Sequence, residues 1–257
     1  MKVLTIGDIV GKNGIEFLKS KLKNLKEEYQ IDLVIANGEN SAEGNGILPV
    51  CANKLFESGV DVITGGNHSF RRKEIFPFLN SNHRLIRPFN YPKETTPGSG
   101  VCKISVGDIK IGVINIIGVV YLESLRSPIE AVDQAIDMCK DCQIKIVDFH
   151  AEATAEKRAM GYYIDGRVSA IFGTHTHVQT SDEEILPRGT GYITDVGMTG
   201  AIESVLGVKK ELSIRRMKNK LPVRFENAEG PCKMECVIFE IDDESGKTVS
   251  LKRLRLL

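Results

Sequence analysis

Short apolar runs alternate with amphipathic stretches along most of the chain, and strand-like alternation takes over near its end. Residues 2–6 read as a buried strand, followed by a Gly-rich loop over 7–14. Ile15, Leu18, Leu22 and Leu25 then form one apolar stripe with Lys and Glu opposite, the pattern of an amphipathic helix. Strands are predicted at 32–36, 60–64, 144–149, 168–172 and 191–194, with helices at 49–58, 73–79, 128–142 and 154–162. Residues 100–106 and 109–117 read as a hairpin turning at Gly107-Asp108. In the tail, 223–225, 233–241 and 248–256 read as antiparallel strands, the last two joined by a turn at 242–246. No repeat, low-complexity stretch or linker interrupts the pattern, so the expectation is one α/β domain spanning 1–257.

Composition narrows this little. The chain has 257 residues, zero net charge and a pI near 7.0, which argues against a broad basic surface for nucleic acid. No apolar run approaches a membrane span, and an acid at position 8 interrupts the N-terminus too early for a secretory leader, so a cytoplasmic protein without membrane association is expected. Cys139 and Cys142 have C-x-x-C spacing. They follow a helix rather than opening one, and no second pair accompanies them, so they read as reduced thiols.

The chemistry gathers where apolar strands end. Asp8 follows the first strand, Glu39 and Asn40 the second, and Asn67 and His68 the third. His150 follows the 144–149 strand, and His175 and His177 follow the 168–172 strand. Ligands of parallel α/β sheets bind at that carboxyl edge. In an extended segment His175 and His177 would point to the same side. The loop at 7–14 matches neither a Walker A sequence nor G-x-G-x-x-G. Of the five histidines only His83 sits in an ordinary polar loop. A mixed set of carboxylate, amide and imidazole suits iron, manganese or zinc in an open catalytic site. The candidates outnumber the needs of one ion. Two ions sharing Glu39, which lies between the Asp8 and Asn67 loops in chain order, would use them, and such pairs serve displacement at phosphorus. Asp148 and Glu152 each lie two residues from His150 and read as structural groups, with orienting His150 as the alternative. Lys157 and Arg87 read as solvated surface groups, with contact to a substrate phosphate or base as the alternative.

Together Gly7-Asp8, Asn37-Gly38-Glu39-Asn40, Gly66-Asn67-His68, Asp148-Phe149-His150-Ala151-Glu152 and Gly173-Thr174-His175-Thr176-His177 resemble the calcineurin-like metallophosphoesterases, specifically their YmdB-type branch. The likeness extends over nearly the whole chain, including Thr194-Asp195-Val196-Gly197-Met198-Thr199-Gly200. Asp8 is followed by Ile9-Val10 where the wider superfamily has Asp-x-His, and Glu39 stands for an Asp. Both are features of the YmdB-type branch.

The resemblance implies a two-sheet sandwich flanked by helices in four αββα layers. It implies a phosphodiesterase acting on 2′,3′-cyclic nucleotides; an RNA end or another phosphodiester is the alternative substrate. One ion would be held by Asp8, Glu39, Asn40 and His177, and a second by Glu39, Asn67, His150 and His175. Iron is the first expectation, then manganese or zinc, with a bridging hydroxide as nucleophile and His68 as proton donor. A homo-oligomer is the base-rate expectation. Two rivals are weighed. An amidohydrolase barrel would place its His pair on the first strand and need eight strand-helix units. A phosphoesterase scaffold that binds a nucleotide or RNA and regulates by occupancy, with slow turnover, would be signalled by lost ligands, and none is lost.

Overall fold

The computed structural model describes residues 1–257. Strands β1 (Lys2–Ile6) and β2 (Asp8–Ile9) lead into helix α1 (Gly11–Tyr29), then β3 (Leu33–Asn37), α2 (Pro49–Glu57) and β4 (Val62–Thr64). A 3-10 turn at Lys73–Ile75 opens α3 (Phe76–Ser81). The hairpin β5 (Val101–Val106) and β6 (Ile109–Ile117) follows, then α4 (Pro128–Met138), β7 (Ile144–His150), α5 (Thr154–Ile164) and β8 (Ala170–Thr174). Last come β9 (Glu184–Ile185), β10 (Gly191–Ile193), β11 (Met198–Ala201), α6 (Lys210–Asn219), β12 (Cys232–Ile241) and β13 (Thr248–Leu256).

The strands form two sheets. One has seven strands in the order β2-β11-β12-β1-β3-β4, with β13 also on β12, and the other has six in the order β5-β6-β7-β8-β10-β9. The triplets β1-β3-β4 and β6-β7-β8 run parallel, so each brings its carboxyl ends to one edge. Three apolar clusters separate four layers. One lies between the first sheet and helices α1 and α2, one between the two sheets, and one between the second sheet and helices α4 and α5. The expected αββα arrangement is the one observed.

Period-two alternation assigns side chains to these layers. Leu33 and Ile35 of β3 join the inter-sheet cluster, while Val34 and Ala36 face the helices. Ile144 and Ile146 of β7 do likewise against Val147 and Phe149. Continued towards the carboxyl edge, the same alternation puts Asn37, Thr64, Asn115, Asp148, His150 and Thr174 on the inter-sheet face, all buried. The space between the sheets is therefore apolar at one end and polar at the other.

Several expectations are corrected. Residues 223–225 lie outside any strand, and α4 stops at Met138 because Cys139 turns the chain into β7. Helix α6 was not expected. It is highly charged and buries only Ser213, so it lacks an apolar stripe. Strands β2, β9 and β11 are too short, or too Gly-rich, to stand out. Cys139 and Cys142 are free and buried, with burial pushing the Cys139 thiol up to about 12. No helix is long and apolar enough to cross a membrane.

Candidate functional site

The two carboxyl edges meet in a cleft. Asp8 arrives in β2, Glu39 and Asn40 in the turn after β3, and Asn67 and His68 in the turn after β4. His150 ends β7, and His175 and His177 follow β8 in the other sheet. All eight residues come together there.

Glu39 sits at the centre, 1% exposed. Its Oε1 lies 3.3 Å from Asn40 Nδ2, 3.3 Å from His150 Nε2 and 3.2 Å from His68 Nδ1, while Oε2 accepts the His68 backbone N–H at 2.8 Å. On one side of it, Asn40 Nδ2 is 3.3 Å from both Asp8 Oδ1 and His177 Nε2. On the other, His150 Nε2 is 2.9 Å from Asn67 Oδ1 and 3.0 Å from His175 Nδ1. Donor atoms of Glu39, His150 and His175 lie within 4.8 Å of one another.

Two of the imidazoles have their tautomer fixed from behind. His177 Nδ1 faces the Leu206 carbonyl at 3.0 Å, which can only accept, so its Nε2 lone pair points into the cleft. The Thr174 hydroxyl donates to Asp148 Oδ1 at 2.7 Å and so accepts from His150 Nδ1 at 2.9 Å. Asp148 thus orients His150 through Thr174, while Thr64 and Asn37 also bond its carboxylate. Burial raises the Asp148 carboxyl to about 6. Glu152 reaches His175 Nε2 at 3.0 Å rather than His150.

The loop holding the His pair is not extended, contrary to expectation. His175 and His177 have φ of 101° and 62°, a region costly for residues other than Gly. Several bonds impose it. The His175 N–H donates to Asp8 Oδ2 at 3.0 Å, and Thr176 between the pair bonds Asp195 Oδ2 through both N–H (3.1 Å) and hydroxyl (2.8 Å). Lys157, 1% exposed rather than solvated, bridges Asp195 Oδ2 and the Thr174 carbonyl, each at 2.8 Å. Arg87 is likewise buried. The Thr194-Asp195-Val196-Gly197 motif was the only sequence signal for this support. Leu206 had none, and Lys157 was read as a surface group.

The electrostatics of the cluster suit a cation. Asp8 and Glu39 pair only with histidines. Burial alone would raise both carboxyls, yet His177 holds Asp8 below its ordinary value and His150 holds Glu39 well below. Burial should depress His150, but Glu39, with Asp8 and Asp148, pushes it up to about 9. Burial and the neighbouring His150 charge drop His175 to about 4. His150 Nε2 stands where a cation would answer the same carboxylates. Only Gly fits at position 66, since a Cβ there would fall 2.3 Å from His150 Nε2 and 2.4 Å from Glu39 Oε2.

A family model described as YmdB-like protein matches residues 4–254. A Bacillus subtilis (strain 168) protein named 2′,3′-cyclic-nucleotide 2′-phosphodiesterase is 45% identical over 255 residues, covering 99% of this chain and 96% of the relative. Two solved structures superpose with TM-scores of 0.94. One, a hypothetical protein from Thermus thermophilus, is 37% identical and is covered to 99% by the whole of this chain. The other, described as a novel phosphatase from Mycoplasma pneumoniae, is 36% identical and is covered to 93% by the whole of this chain.

Proposed function

This chain belongs to the YmdB-like protein family, and from that premise we propose that it is a metal-dependent phosphodiesterase opening 2′,3′-cyclic nucleotides. The observation that carries the reading is Glu39 Oε1 standing between two groups of donors, 3.3 Å from Asn40 on one side and 3.3 Å from His150 on the other. Asp8, Glu39, Asn40 and His177 would hold one ion, and Glu39, Asn67, His150 and His175 the other. Asn40 joins through Oδ1 once its amide turns over, since its Nδ2 faces Asp8 and His177 here. Bound there, iron, manganese or zinc supplies Lewis-acid charge to the phosphoryl oxygens and activates water.

The chain's own groups do the rest. His68 is anchored through Nδ1 to Asn40 Oδ1 at 3.0 Å and Glu39 Oε1 at 3.2 Å, and its Nε2 has no protein partner. With Asn40 turned over, Glu39 Oε1 remains the acceptor for His68 Nδ1, and the imidazolium donates its Nε2 proton to the departing ribose oxygen. His68→Ala is expected to slow turnover about 10²- to 10⁴-fold with metal content unchanged. Wild-type turnover in that variant would remove His68 from the role.

Thr174→Val keeps the shape but cuts the Asp148–Thr174–His150 relay. Such supporting bonds contribute roughly 10- to 100-fold to metal affinity, and a loss of that size is expected in competition with a chelator. An unchanged affinity would mean that packing alone orients His150.

The direct test measures bound metals and compares 2′,3′-cyclic AMP with 3′,5′-cyclic AMP, a phosphomonoester and short RNA. Preference for the 2′,3′-cyclic substrate is expected. Preference for the monoester would make the protein a phosphatase instead.

A further inference from the structure

A cavity of about 830 Å³ lies beside the 87–100 segment, and none of the eight residues of the cleft lines it. Arg87, 2% exposed, forms part of its wall. Its Nη1 donates to the carbonyls of Pro88 at 2.8 Å and Phe89 at 3.2 Å, and its buried Nε has no partner. The second cation lining the cavity is Arg126, exposed, with Nη1 donating to Gln134 Oε1 at 2.8 Å and its guanidinium 5.4 Å from the Phe89 ring centre. No carboxylate forms an ion pair with either arginine among the fifteen ion pairs of the protein.

A buried guanidinium normally acquires a carboxylate, because an unpaired buried charge is costly. Here burial, together with the like charge of Arg126, lowers the proton affinity of Arg87. Lys93 and Glu94, both exposed, offset each other among the lining residues.

The wall is fixed in advance. Asn90 Oδ1 accepts the Ile117 N–H at 3.0 Å and its Nδ2 donates to the carbonyls of Ile117 (2.8 Å) and Arg126 (3.2 Å), while the Phe89 N–H donates to Asn115 O at 2.8 Å. A Cβ on Gly100 would lie 2.4 Å from Phe89 Cα, so only Gly lets these backbones approach.

We propose that this cavity binds a mononucleotide, with its phosphate between Arg87 and Arg126 and its base or ribose against Phe89, Leu125 and Met138. Guanidinium forks match phosphate oxygens in pairs. The volume lies in the range of small-molecule sites, and the apolar lining gives an organic body somewhere to rest. A phosphate bound there supplies the charge that the protein withholds from Arg87.

The test is calorimetric titration of the metal-loaded full chain with 5′-AMP, adenosine and inorganic phosphate. AMP is expected to bind more tightly than either of the others. Arg126→Gln, at an exposed position, should weaken AMP about tenfold or more while leaving hydrolysis of 2′,3′-cyclic AMP unchanged. Arg87→Gln should weaken it at least as much, and because that change touches a buried group, Arg126→Gln carries the decision if it fails to fold. AMP affinity untouched by Arg126→Gln would place the nucleotide elsewhere and overturn the proposal, as would no binding to the wild type. Adenosine binding as tightly as AMP would remove the phosphate from the site, and phosphate binding as tightly as AMP would remove the nucleoside.

Discussion

Glu39→Gln is expected to bind less than one metal ion per chain and to lose more than about 10⁴-fold in turnover. Glutamine keeps the length and the hydrogen-bonding oxygen, so the backbone turn that presents His68 N–H to Oε2 survives. What disappears is the one charge shared by both donor groups, on a side chain 1% exposed. Charge stabilisation by each catalytic ion is worth several kcal/mol, and at about 1.4 kcal/mol per factor of ten the loss of both exceeds four decades. Elemental analysis with turnover of 2′,3′-cyclic AMP reads the outcome. Two retained ions with ordinary turnover would show that Glu39 does not join the donor groups.

Asp195→Ala is expected to destabilise the fold by about 3–5 kcal/mol, the usual consequence of stranding one partner of a buried ion pair. Lys157 would be left with only the Thr174 carbonyl, and Thr176 would lose both bonds that pin it between the histidines. For a chain of this size that corresponds to a fall of roughly 10 °C in the unfolding midpoint. Activity should fall further than stability alone explains, because His175 and His177 keep their unfavourable φ only while the loop is held. The double variant Asp195→Ala with Lys157→Met should recover part of the stability, since an apolar side chain tolerates that site better than an unpaired ammonium. A midpoint unmoved by Asp195→Ala would show that the pair supports nothing.

The chain itself specified most of what surrounds the cleft. Apolar runs with polar ends located β1, β3, β4, β7 and β8, and the stripe Ile15-Leu18-Leu22-Leu25 located α1, because burial on one face leaves a periodic trace. The residue types at the strand ends singled out Asp8, Glu39, Asn67 and four histidines, and the family resemblance added Asn40. Helix α6 left no such trace, since its charged surface buries almost nothing.

Three things were decided only by tertiary structure. Asp8 and His175 are joined by a bond across 167 residues, set by how two sheets stack and by no local preference. The backbone of His175 and His177 departs from the extended form their neighbours favour, because Asp8, Asp195 and Leu206 hold it from three directions. Lys157 and Arg87 look like surface cations in sequence, but whether an ammonium or guanidinium is solvated depends on which elements close over it. For Lys157 they enclose a carboxylate as well, and for Arg87 they do not.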